Sequence, residues 1–125
     1  MIAARIALSL GLSIAAAAPA AAAPLVRTVT VDHARFAACA FSVLDREYPD
    51  QITLTDLRGL ETIRIVGTIT AVGLISSSTQ RWLEMEIRKA GKGAVVEVQP
   101  KFTIFGDDHY AQRTWKEIQG CLPPA

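Results

Sequence analysis

Three consecutive stretches in the middle of this chain alternate apolar and polar side chains with a period of two. Ile63, Ile65 and Ile69 alternate with Thr62, Arg64, Thr68 and Thr70, and Leu83, Met85 and Ile87 with Trp82, Glu84, Glu86 and Arg88. In the third stretch Val96, Val98, Phe102 and Ile104 alternate with Glu97, Gln99, Lys101 and Thr103. Successive side chains of a strand point to opposite faces, so each stretch buries one face and wets the other. Ser76-Ser77-Ser78-Thr79 forms the first connection and Ala90-Gly91-Lys92-Gly93 the second, both short enough for hairpins. An antiparallel meander follows.

Helical periodicity brackets this region on both sides. Asp32 reads as an N-cap, and from His33 to Tyr48 the residues Phe36, Cys39, Ala40, Val43 and Leu44 fall on one face before Pro49 stops the helix. Asp107 or Asp108 starts a second helix over 109–119, with Ala111, Trp115, Ile118 and Leu122 along one stripe, Gly120 as its C-terminal cap and Pro123-Pro124 ending the element. Helices at both ends of a sheet with one apolar face have one economical arrangement, with both packed on that face. The expected fold is therefore α+β: a meander of three to four strands with an N-terminal and a C-terminal helix on one side. Residues 25–31 fit either a first strand or an ordered arm, and 51–59 either a strand or a helical turn.

Cys39 and Cys121 are the only cysteines. The two helices bring them together, so a disulfide is expected, given the compartment implied by the N-terminus. There, Arg5, the apolar run Ile6 to Ala18, Pro19 and the small residues Ala18, Ala20 and Ala22 have the layout of a bacterial secretory signal peptide. Residues 1–23 read as a cleaved leader, cut after Ala20 or Ala22, and 24–125 as one small domain of the periplasm or exterior. The run is short for a membrane span, so no stable membrane insertion of the mature chain is expected.

Chemistry-bearing patterns are sparse. Asp32-His33 and Asp107-Asp108-His109 each combine carboxylate and imidazole, yet both stand at a helix start, where capping is a sufficient role. No Gly-x-Ser-x-Gly occurs, and Gly91-Lys92-Gly93 joins two strands rather than leading into a helix as a phosphate loop must. Glu84 and Glu86 share a strand face and pair most simply with Arg64, Arg88 and Lys101 as a solvated ladder. With 13 Lys+Arg against 12 Asp+Glu, the charge balance gives no reason to expect a nucleic-acid partner. No catalytic residue, metal or cofactor is expected.

What remains is surface. Alternation puts Trp82 on the outward face with Glu84, Glu86 and Arg64, where an aromatic among charges suits a binding anchor. Val66, Val95 and Phe105 add apolar patches, and Trp115 belongs to the core. The apolar run containing Val72, Leu74 and Ile75 lies at a hairpin tip that either extends the strand under a helix or projects. The function expected from this pattern is a non-catalytic, exported binding or assembly module acting through the outward face or an edge strand. Its partner is another exported protein or a second copy of the chain. The alternatives are a secreted enzyme inhibitor using the 72–78 loop, a small-ligand carrier, or an enzyme with an unrecognised site near His33 or His109.

Overall fold

The computed structural model describes residues 23–101 and 103–123. Of the leader assignment, residues 1–22 lie outside that range, as does Phe102. Five strands and two helices follow in the order β1 (Leu25–Val29), α1 (His33–Glu47), β2 (Ile52–Leu57), β3 (Thr62–Val72), β4 (Ser77–Ala90), β5 (Gly93–Val98) and α2 (His109–Glu117). The sheet order is β1-β5-β4-β3-β2 with every neighbouring pair antiparallel. The fold is thus the expected α+β meander, widened because both uncertain segments, 25–29 and 52–57, are edge strands.

α1 connects those edges. The chain leaves β1 on one side of the sheet and re-enters as β2 on the other, so α1 lies across the sheet and touches β2, β3, β4 and β5. Its start is fixed by Asp32, whose Oδ2 accepts from the Ala34 and Arg35 amides at 3.1 and 3.3 Å. Phe36, Ala37, Ala40 and Leu44 are buried against Ile63, Ile65, Leu83, Met85, Ile87, Val96 and Val98, with Ala111 and Ile118 joining from the C-terminal side. Both helices therefore cover the same sheet face.

Cys39 and Cys121 form a disulfide, with their Cα atoms 5.7 Å apart. The α2 terminus differs from the expected continuous helix to Gln119. α2 ends at Glu117, and Gln119–Cys121 tightens into a 3-10 turn, with the Cys121 amide donating to the Ile118 carbonyl at 2.9 Å. That turn carries Cys121 to Cys39 and places Gly120 inside it rather than at a helix cap. The expected side-chain cap of α2 is absent as well. Asp108 occupies the N-cap position with φ −100° and ψ 3°, outside the extended region from which a cap side chain reaches the first-turn amides, and it makes no cap hydrogen bond.

Two strand boundaries also differ. The third alternating stretch does not run to Ile104, because Pro100 has no amide to donate to a ladder. Residues 101 and 103–107 instead belong to a turn, in which the Lys101 amide donates to the Asp107 carbonyl at 3.0 Å and Thr103 Oγ1 to the Gly106 carbonyl at 2.7 Å. Ile104 and Phe105 stand exposed on it. Conversely, β3 and β4 stay paired out to Val72 and Ser77, so Ser77, Ser78 and Thr79 are strand rather than connection. The turn proper is residues 73–76, closed by the Gly73 amide on the Ser76 carbonyl at 2.7 Å.

The disulfide ties residues 82 apart in sequence. Replacing both cysteines by serine is expected to lower unfolding free energy by about 4–5 kcal/mol on the loop-entropy model, read from denaturant midpoints. Denatured wild-type protein should yield no titratable thiol until a reductant is added.

Candidate functional site

The sheet face away from the helices is open, and its charges are used up among themselves. Thr55, Arg64, Glu86, Glu97 and Val26 form one row across all five strands. Glu86 and Glu97 stand directly opposite, a repulsive arrangement that Arg64 and Arg88 relieve. Arg64 donates to Glu86 at 2.8 Å, and Arg88 to Glu97 at 2.8 Å and to Glu86 at 3.4 Å. Glu84 binds Arg81 at 3.1 Å and lies 3.6 Å from Lys101. The Arg81 hydrogen bond is the main cause that holds its carboxyl below the usual range, aided by the Lys101 charge against the opposing effect of burial. Glu84, Glu86 and Arg64 are therefore where the alternation puts them, as members of a neutralised ladder.

Trp82 is not with them. It is 7% exposed and belongs to the core. The β3–β4 register shifts between Gly67 and Thr68, which pair with Leu83 and Arg81, so Trp82 is an extra residue in β4. Such a bulge re-aims a side chain. Here it turns Trp82 to the helix side beside Leu83, against the expected outward placement. Gly67 makes room, because a Cβ there would meet the Trp82 ring at 2.7 Å. The sequence signal for this is the adjacency of two bulky apolar residues, Trp82-Leu83, which a strict alternation cannot bury together.

Once inside, Trp82 completes an aromatic group that the alternation argument missed. Its ring lies 4.7 Å from that of Tyr48, at the end of α1, and 5.9 Å from that of Tyr110, in the first turn of α2. Its Nε1 donates to Gln51 Oε1 at 3.1 Å. The Arg113 guanidinium sits among all three rings, 5.2 Å from Tyr48, 5.5 Å from Trp82 and 4.8 Å from Tyr110, within cation–π range of each. Tyr110, Arg113 and Glu117 are spaced three and four residues apart, which aligns them on one face of α2. Tyr48 donates its hydroxyl to Glu117 Oε1 at 2.6 Å. Burial, reinforced by that hydrogen bond and the carboxylate charge, pushes the Tyr48 phenol up to about 12.

Two clefts open on either side of the Trp82–Tyr110 pair. One, of about 310 Å³, is lined by Tyr48, Gln51, Ile69, Trp82, Tyr110 and Arg113. The other, of about 370 Å³, shares Ile69, Trp82 and Tyr110 and adds Arg81, Lys101, Ile104 and Phe105 among its walls. Above them the β3–β4 hairpin continues beyond the body of the sheet, carrying no charged side chain between Ile65 and Gln80. Val72, Leu74 and Ile75 at its tip are almost completely exposed, so this segment projects rather than packing under a helix.

The two histidines have separate surroundings. His33 Nδ1 lies 3.6 Å from the Asp32 carboxylate that caps α1. His109 packs against the rings of Phe105 and Tyr110, at 5.0 and 5.4 Å. Among the described residues no three His, Cys, Asp or Glu side chains converge as a metal-binding group, and no helix is long and apolar enough to cross a membrane. Comparisons with protein-family models, with curated proteins and with solved structures each give no match.

Trp82→Ala is expected to cost about 3–5 kcal/mol, a core truncation, where an outward Trp82 would have left stability nearly unchanged. Urea denaturation measures it. A second expectation concerns alkaline pH. The Tyr48 pKa is raised on folding from its ordinary value of 10.0 to about 12, so its contribution is whole below pH 10 and is lost as pH rises from 10 through 12. Stability measured across that window should fall less steeply in Tyr48→Phe, and tyrosinate absorbance should lose its most alkaline step.

Proposed function

We propose that the protein is a non-catalytic binding module of an oxidising, extracytoplasmic compartment, and that it meets its partner with the β3–β4 hairpin. The observation that carries this reading is the hairpin tip. Val72, Leu74 and Ile75 stand in solvent at the end of a ladder that pairs only with itself beyond Thr68. Exposed aliphatic side chains on a projecting, uncharged segment are costly to leave in water and are typical of interaction sites. The open sheet face, by contrast, has its charges already paired, which weakens the case for it as the contact surface. The Cys39–Cys121 bridge supports export, since such bonds persist where thiols are oxidised. The leader sequence at 1–23 points the same way, and N-terminal sequencing of the exported protein is expected to begin at Ala21 or Ala23.

The partner is a protein of the same compartment. A photo-crosslinking side chain placed at position 74 in cells of the native host is expected to give a discrete adduct, with none from position 55 on the open face. Adducts from 55 alone would transfer the role to the sheet. One observation also favours a second reading, a secreted enzyme inhibitor that uses residues 72–78. The paired ladder and the Gly73–Ser76 turn hold the tip out as a defined projection able to enter a cleft. Inhibition of an exported hydrolase by wild type, lost in Leu74→Ser, distinguishes that case.

A further inference from the structure

From the geometry around Arg113 we infer a binding site for a small organic carboxylate with an apolar body, seated in the cleft between Tyr48, Trp82 and Tyr110. This inference is independent of the hairpin reading, because none of the tip residues lines that cleft.

Arg113 carries the argument. A guanidinium has five N–H donors in a planar fork suited to a carboxylate. Among the described residues Arg113 donates no hydrogen bond, and its buried Nε lacks an acceptor. Its nearest carboxylate, Glu117, forms an i,i+4 ion pair with Nε at 3.7 Å, longer than a hydrogen bond; Glu117 Oε1 accepts from the Tyr48 hydroxyl at 2.6 Å, and its buried Oε2 has no hydrogen-bond partner. Three aromatic rings surround the cation, and its terminal nitrogens, unlike the buried Nε, are the donors that a ligand in the cleft can meet. A cation positioned by packing and left unused as a donor is matched by an acceptor supplied from outside.

The walls state the rest of the ligand. Ile69 and the rings of Trp82 and Tyr110 offer apolar surface, and Gln51 adds an amide whose oxygen is engaged by Trp82 Nε1. A cleft of about 310 Å³ with aromatic walls and few polar groups has the size and lining of a small-molecule site. The sign of the charge follows from the rim. Arg81 and Lys101, on the adjoining cleft, share the single carboxylate of Glu84. Arg113 is the charged residue among those lining the cleft itself, so a second cation is disfavoured there and an anion attracted.

Isothermal titration of the mature, disulfide-bonded protein with 3-phenylpropionate tests this, with 3-phenylpropanamide as the uncharged isostere and a phenylpropyl-trimethylammonium salt as the cation. The acid is expected to bind at least 10-fold more tightly than the amide. Arg113→Gln should remove that preference, while Arg113→Lys retains part of it. Thermal unfolding of each variant separates a lost site from a lost fold, and the acid-to-amide ratio on wild type stands without any variant. Equal binding of acid and amide, no binding of the acid at millimolar concentration, or preference for the ammonium salt would each overturn the proposal. The last result would mean that Arg113 merely occupies a cage built for cations. Leu74→Ser, which removes the hairpin contact, should leave acid binding unchanged.

Discussion

The helix-facing side of the sheet presents Ile63, Ile65, Leu83, Met85, Ile87, Val96 and Val98 in register across three strands. Burial of such side chains is worth on the order of 2 kcal/mol each, and no single helix covers five strands. The chain meets this by sending α1 from one edge of the sheet to the other and returning α2 onto the same face. Everything else is placed by that cover. The crossing of α1 determines that its C-cap, Tyr48, emerges near the β3–β4 bulge, and the disulfide holds the tail after α2 against the middle of α1.

The bulge at Trp82 converts a packing solution into the cleft proposed above as a recognition site. Had β4 kept a strict alternation, Trp82 would have stood outward among Glu84, Glu86 and Arg88, and the region beneath the hairpin would have lacked its central ring. One extra residue, admitted by the missing side chain of Gly67, turns the indole inward to meet Tyr48 and Tyr110. The same event explains why the hairpin beyond it leaves the body of the sheet. Bulges increase local twist and bend the strand that carries them. Ile69 therefore lies over the aromatic group rather than under a helix.

The two faces of the sheet divide the work. The open face solves its own electrostatics: each carboxylate among Glu84, Glu86 and Glu97 has an arginine partner, so no strong field is left to steer a ligand. At the hairpin end the balance is different, with aliphatic side chains in solvent and a guanidinium held by rings without hydrogen bonds. Exposed aliphatic side chains and a guanidinium without hydrogen bonds thus lie together at the hairpin end, where both proposed activities fall.

Much of this was legible in consecutive residues. The alternations of 62–66 and 83–88 assigned Arg64, Glu84 and Glu86 to the open face, the 33–48 periodicity and Asp32 set α1, and the two cysteines announced their bridge. These succeed because side-chain direction in a strand or helix is a property of neighbours along the chain. The alternation failed at Trp82 and at the end of α2, where geometry answers to residues far away, Gly67 opposite the bulge and Cys39 drawing in Cys121; at Pro100 it failed for a local reason, the missing amide. The sequence by itself determined which faces are apolar, where the helices begin and that two thiols would pair. Only the tertiary structure decided that 25–29 and 52–57 become opposite edges, and that Tyr48, Trp82, Tyr110 and Arg113 meet. Those residues belong to three separate elements, and their encounter depends on strand register and helix crossing, which no local pattern encodes.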